Sequence, residues 1–105
     1  GYDLTTASAS GVELSVATEE SSPEGLSFND DGTRLFVIGS DDDAVVEYTL
    51  TSGYDLTTAS ASGVELSVAS EEIVPRGMAF NNDGTKLFVI GSEDDAVVEY
   101  LIGSD

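Results

Sequence analysis

The chain repeats itself. Gly1 to Gly11 returns unchanged as Gly53 to Gly63, and about 12 of the 52 aligned pairs differ across the 52-residue period. A repeat of this kind is one supersecondary unit that cannot bury its own apolar faces, so copies must stack to make a core. The differences include Ser21/Ile73, Glu24/Arg76, Leu26/Met78 and Arg34/Lys86, and most of the apolar pattern is untouched. Such near-identity fits a recent duplication and an engineered near-consensus pair equally. The repeats divide the sequence into 1–52 and 53–105.

Within each copy, four strand-like runs are separated by turn chemistry. Pro23-Glu24-Gly25 opens a run in which Leu26 and Phe28 alternate, and Asn29-Asp30-Asp31-Gly32-Thr33 follows as a turn. Arg34 to Ile38 is apolar on both faces, as a strand between two neighbouring sheets should be. After Gly39 to Asp43, Ala44 to Leu50 alternates more clearly. A Gly/Ser/Thr-rich connection leads to the fourth run, Val64 to Val68, with Val12 to Val16 as its first copy; each has one apolar and one polar face. No apolar stripe of helical period competes. The expected class is all-β, with four antiparallel strands per unit.

The motif Pro-x-Gly-Leu/Met-Ser/Ala-Phe-Asn-x-Asp-Gly-Thr-Arg/Lys-Leu-Phe-Val-Ile-Gly-Ser covers Pro23 to Ser40 and Pro75 to Ser92. It resembles the blade signature of YVTN-type, lactonase-like bacterial β-propeller repeats. The Trp-Asp ending of WD40 blades and the Gly-Gly pair of kelch repeats are absent. The resemblance implies β-propeller blades, two per chain. It carries no catalytic assignment, because the metal or acid–base residues of lactonase-like relatives have no counterpart here.

Two blades leave large apolar faces open. The runs follow the order fourth, then first to fourth, then first to third, so one blade is intact and the other is split between the two ends. The expectation is a homo-oligomeric ring, closed when the third run of one chain (Val97, Val98, Tyr100) pairs with the fourth run of the next (Val12, Leu14, Val16). Propellers close with roughly four to eight blades, so four identical chains are favoured and three come next.

Charge sets the remaining limits. Against 21 Asp plus Glu stand 3 Lys plus Arg, for a formal net charge of −18. Such a surface repels nucleic acid and anionic membrane, and no run approaches the roughly 20 apolar residues that cross a bilayer. It suits salty surroundings and divalent cations, and for a natural chain it favours an extracellular or secreted location. No charged start followed by an apolar stretch is visible. The chain has neither His nor Cys, which removes the usual zinc ligands and the commonest general base. Every Asp and Glu falls in a turn or on an alternating polar face, so no enzyme and no catalytic residue is expected. No cofactor is expected; calcium is the one candidate, on the acidic turns Asp41-Asp42-Asp43 and Glu93-Asp94-Asp95. A second reading is a multivalent binding module for glycan, protein or calcium; the repeated Tyr2, Tyr48, Tyr54 and Tyr100 are expected to pack against the third and fourth runs, with lining of an inter-blade cleft as the alternative.

Overall fold

The computed structural model describes residues 3–17, 20–41, 43–69, 74–92 and 96–103. Its strands are β1 (Pro23–Phe28), β2 (Arg34–Gly39), β3 (Ala44–Leu50), β4 (Ala59–Ser67), β5 (Pro75–Phe80), β6 (Lys86–Gly91) and β7 (Val97–Leu101). They form two antiparallel sheets, one ordered β1-β2-β3-β4 and one ordered β5-β6-β7. The first sheet therefore takes three strands from the first repeat and its fourth from the second. Single-turn 3-10 helices at Leu4–Thr6 and Leu56–Thr58 complete the regular structure.

The Asn-x-Asp-Gly-Thr runs are hairpin turns, and their residue types explain why. Gly32 sits at φ 75° and Gly84 at φ 74°, a left-handed conformation that costs glycine least. Asn29 Oδ1 accepts the Arg34 N–H at 3.0 Å, and Asn81 Oδ1 accepts that of Lys86 at 3.0 Å. Asp31 Oδ1 accepts from the Thr33 hydroxyl at 2.6 Å and from its N–H at 3.1 Å; Asp83 and Thr85 repeat this arrangement. The threonine hydroxyl, then its N–H, holds both carboxyls below their ordinary value of 3.8.

These bonds favour the anion, so their contribution is present above the ordinary carboxylate pKa. It is lost as pH falls through the lowered folded value. Removing both hydroxyls with Thr33→Val and Thr85→Val is expected to flatten the acid limb of stability. Urea midpoints compared at pH 6 and pH 2.5 check this: the difference between wild type and variant should shrink at the lower pH.

The fourth strand departs from its sequence expectation. β4 begins at Ala59 and ends at Ser67, so Ala59 to Ala61, read as connection, pair with Leu50, Thr49 and Tyr48. A bulge around Gly63 (φ 85°) realigns the pairing, and beyond it Glu65 and Leu66 face Val46 and Val45. The apolar face expected for Val64 and Leu66 is exposed. Val68 lies past the strand end, fully buried, its N–H donating to Asp43 O at 2.8 Å.

The first copy of this run, Val12 to Val16, forms no strand. Its sequence matches Val64 to Val68 residue for residue, but only the later copy has β3 beside it to take its backbone groups. Leu14 and Val16 instead pack on the first sheet.

Alternation along β2 sends side chains to two cores. Leu35 and Val37 join Val46, Tyr48 and Leu50 on one face, where Leu14, Val16, Phe28, Leu56 and Ala59 pack against them. On the opposite face, Ile38 and Val45 meet Val68 and, from the second sheet, Leu87 and Val89. Phe36 and Phe80 cross this inter-sheet boundary with ring centroids 4.8 Å apart. The edge strands β1 and β5 approach so closely that a Cβ on Gly25 would stand 3.4 Å from Gly77 Cα. Beside them, Arg76 pairs with Glu24 at 3.3 Å.

One acidic residue breaks the expectation that all carboxylates are solvated. Glu20 is 1% exposed. Its Oε2 accepts the Ser22 N–H at 2.9 Å and the Asp41 N–H at 3.1 Å, joining the chain before β1 to the β2–β3 turn. Gly39 lies under this carboxyl, where a Cβ would collide with the Glu20 side chain and Ser22 O.

Candidate functional site

The repeat supplies its own reference for each exposed surface. Every position in one sheet has a counterpart 52 residues away, and the two can be compared for what covers them. Ile38 is 0% exposed and Ile90 is 49%; Val45 is 5% exposed and Val97 is 62%. The first member of each pair lies between the sheets. The second lies on the outer face of the second sheet, which nothing covers among the described residues.

The first sheet shows the converse. Its outer face carries Leu26, 62% exposed, while the counterpart Met78 packs into the inter-sheet core. Leu26, Leu35, Val37, Leu14 and Val16 line an apolar groove of about 370 Å³ there. The molecule thus ends in two different surfaces. Each matches the partner that the other kind of surface has inside the chain.

The third feature is an edge. β3 pairs on its far side with β4, while no strand among the described residues follows β7. Unpaired edge groups are a template for another strand. Val97 is exposed here, Val98 is half-buried, and Tyr100 is half-buried against the second core. Of the other residues expected at an interface, Val12 is exposed, and Leu14 and Val16 are half-buried on the first sheet. The structure leaves the two sets apart, one on the first sheet and one on the second.

The acidic turns offer less. Asp41 is exposed and gives its N–H to Glu20, and Asp43 adopts φ 52° with Oδ1 buried and without a hydrogen-bond partner. Asp42, Glu93, Asp94 and Asp95 lie outside the described residues. Among the described residues, no group of three or more acidic side chains is placed to hold a metal ion.

A cleft of about 680 Å³ opens between the two hairpin turns, lined by Phe28, Asp30, Arg34, Phe80, Asn82 and Gly84, among others. Of the tyrosines among the described residues, Tyr48, Tyr54 and Tyr100, none lines it. Tyr48 is buried in the first core, and Tyr54 lies over the Gly32 turn, its hydroxyl donating to Asp30 O at 2.9 Å. Tyr2 is outside the described residues.

Sequence reasoning missed Glu20; it allows Arg76 a local ion pair but does not single out Glu24, across the two sheets, as the partner. The charge reversal at aligned positions 24 and 76 was the available signal for the pair. Comparison with family models, curated proteins and solved structures finds no match to this chain.

Proposed function

We propose that this chain is a structural module that assembles with copies of itself, head to tail, into a β-propeller ring. The observation that carries the reading is the exposure of Ile90 and Val97 where Ile38 and Val45 are buried. Shifted by one more repeat pair, the outer face of the second sheet falls on the Leu26–Leu35–Val37 groove of the next copy. That contact copies the one already made between the two sheets. Head-to-tail contacts close into a ring or run on as a filament; roughly six or eight blades, from three or four chains, fall in the propeller range.

The same translation sets a strand register. Val45 pairs with Leu66, Val46 with Glu65 and Thr49 with Ser60. By repeat, Val97, Val98 and Leu101 of one copy take Leu14, Glu13 and Ser8 of the next. Residues 7–15 then gain the backbone partner that their duplicates have in β3.

Charge bears on the balance. A net charge of −18 per chain opposes association, and salt relieves it, the screening length falling from about 10 Å at 0.1 M to about 3 Å at 1 M. Near β1 and β5 the sign alternates: Arg76 pairs with its own Glu24, and in a ring each Glu24 would also face the neighbour's Arg76. Two identical repeats would place only like charges there.

Joining Ser8→Cys and Leu101→Cys in one chain tests the register, since paired cross-strand Cβ atoms lie about 4.5–5.5 Å apart. Under oxidation the account expects disulfide-linked oligomers, resistant to denaturing electrophoresis and collapsing to monomer on reduction. Monomer alone before reduction contradicts it.

A further inference from the structure

The two glycine turns are alike in backbone and differ in what lies over them. Tyr54 covers Gly32: a Cβ on that glycine would strike the tyrosine ring. The Tyr54 N–H donates to Gly32 O at 2.9 Å, its hydroxyl donates to Asp30 O at 2.9 Å, and its ring centroid lies 5.1 Å from that of Phe28. Among the described residues, nothing lies within 4 Å of the Cβ position of Gly84. The counterparts of Asp30 and Phe28, Asn82 and Phe80, line the open cleft beside it.

The residue matching Tyr54 is Tyr2. The segment that follows Tyr2 already carries the fold of its duplicate. Asp3 Oδ1 accepts from Thr5 N at 3.1 Å and Thr5 Oγ1 at 2.6 Å, and Asp55 does the same with Thr57 at 3.1 and 2.7 Å. Each aspartate precedes the same 3-10 turn. Leu56 packs on the first core, while Leu4, its match, is 83% exposed. Tyr54 covers the turn of the sheet that precedes it in the chain, and no sheet precedes Tyr2 within these residues.

We infer that the Gly84 turn and its cleft are the seat of Tyr2 from a second copy. This rests on the ring reading and gives it a specific clasp. Tyr2 of the neighbour lies over Gly84 and against Phe80, its N–H donating to Gly84 O and its hydroxyl to Asn82 O. Leu4 of that copy follows onto the Ile102 end of the second core. The cleft between the turns is in part the place left for this ring.

The test is a photoreactive benzophenone amino acid at position 2 of the full chain, with cross-links mapped by mass spectrometry. The expected product joins position 2 to residues 80–85 of another copy. Tyr2→Ala should raise the concentration for half-assembly about tenfold or more. Cross-links confined to one copy, or to another segment of the partner, overturn the clasp even where the wild-type mass is that of an oligomer. So does an oligomer that Tyr2→Ala leaves unchanged. A wild-type monomer instead overturns the ring reading itself, which separates the two failures.

Discussion

Ile90→Asp is expected to abolish assembly while leaving each chain folded. At 49% exposure, a substitution here would ordinarily change stability by no more than about 0.5 kcal/mol. In the proposed assembly the position lies against Leu26, Leu35 and Val37 of the next copy, and an aspartate there would lose apolar burial and shed water from a charge. Such unpaired burial costs several kcal/mol, so a fall in affinity of more than about 100-fold follows. The same change at Ile38, which is fully buried between the sheets, should unfold the chain. Solution mass of Ile90→Asp, taken with its urea midpoint at low concentration, separates lost assembly from lost fold. An Ile90→Asp protein that assembles like wild type would contradict the face assignment.

Glu20→Ala carries the second large effect, this time on the fold. The carboxylate accepts two backbone N–H groups, from Ser22 and Asp41, in a site that is 1% exposed. Leaving buried donors unsatisfied costs about 1–3 kcal/mol each, so a loss of roughly 2–4 kcal/mol is expected once the cavity relaxes. Both N–H groups donate to the one oxygen Oε2, so Glu20→Gln, which keeps the shape and one carbonyl oxygen, should lose clearly less than Glu20→Ala. Urea unfolding at neutral pH checks both variants. Because Gly39 lies directly under this carboxyl, Gly39→Ala should act in the same direction.

The sequence made some of these features legible and hid others, for physical reasons. β1, β2 and β3 and their repeats were readable because alternation and turn chemistry are local: Leu26 and Phe28, the Gly32 turn, and the doubly apolar Leu35 to Ile38. The first half of β4 was hidden because Ala59, Ser60 and Ala61 carry no apolar alternation; their strand character comes from pairing with Leu50, Thr49 and Tyr48. Val12 to Val16 shows the same lesson in reverse. Its duplicate runs through the end of β4 into the buried Val68, yet this copy has no strand partner and is not a strand. Glu20 could not be read as buried, since the distant group that holds it, the Asp41 N–H, and the glycine that makes room for it, Gly39, lie about 20 residues along the chain. Val97, Val98 and Tyr100 were legible as a strand at the sheet edge, whereas Val12, Leu14 and Val16 form no strand, and which faces of the two sheets correspond was not legible. That required knowing which side chains the two sheets already share.

The size of the free energies requires the proposed assembly to use both apolar faces and the β7 edge together. Covering Ile90, Val97, Leu26 and Leu4 gains about 1.5–3 kcal/mol for each side chain taken from full exposure, and less here because each is already partly covered. Association costs about 4–15 kcal/mol, and like charge adds to that. The apolar faces alone come near balance. Strand pairing along β7 must tip the proposed assembly, the exposed Glu24–Arg76 pairs add little, and salt should strengthen it by screening the net like charge.

The most direct measurement is therefore the mass of the wild-type chain in solution at 1 M salt, over a range of concentrations. The account predicts one closed species of three or four chains of 10.9 kDa, about 33 or 44 kDa, that loosens as salt is lowered. A 10.9 kDa monomer at every concentration would contradict it.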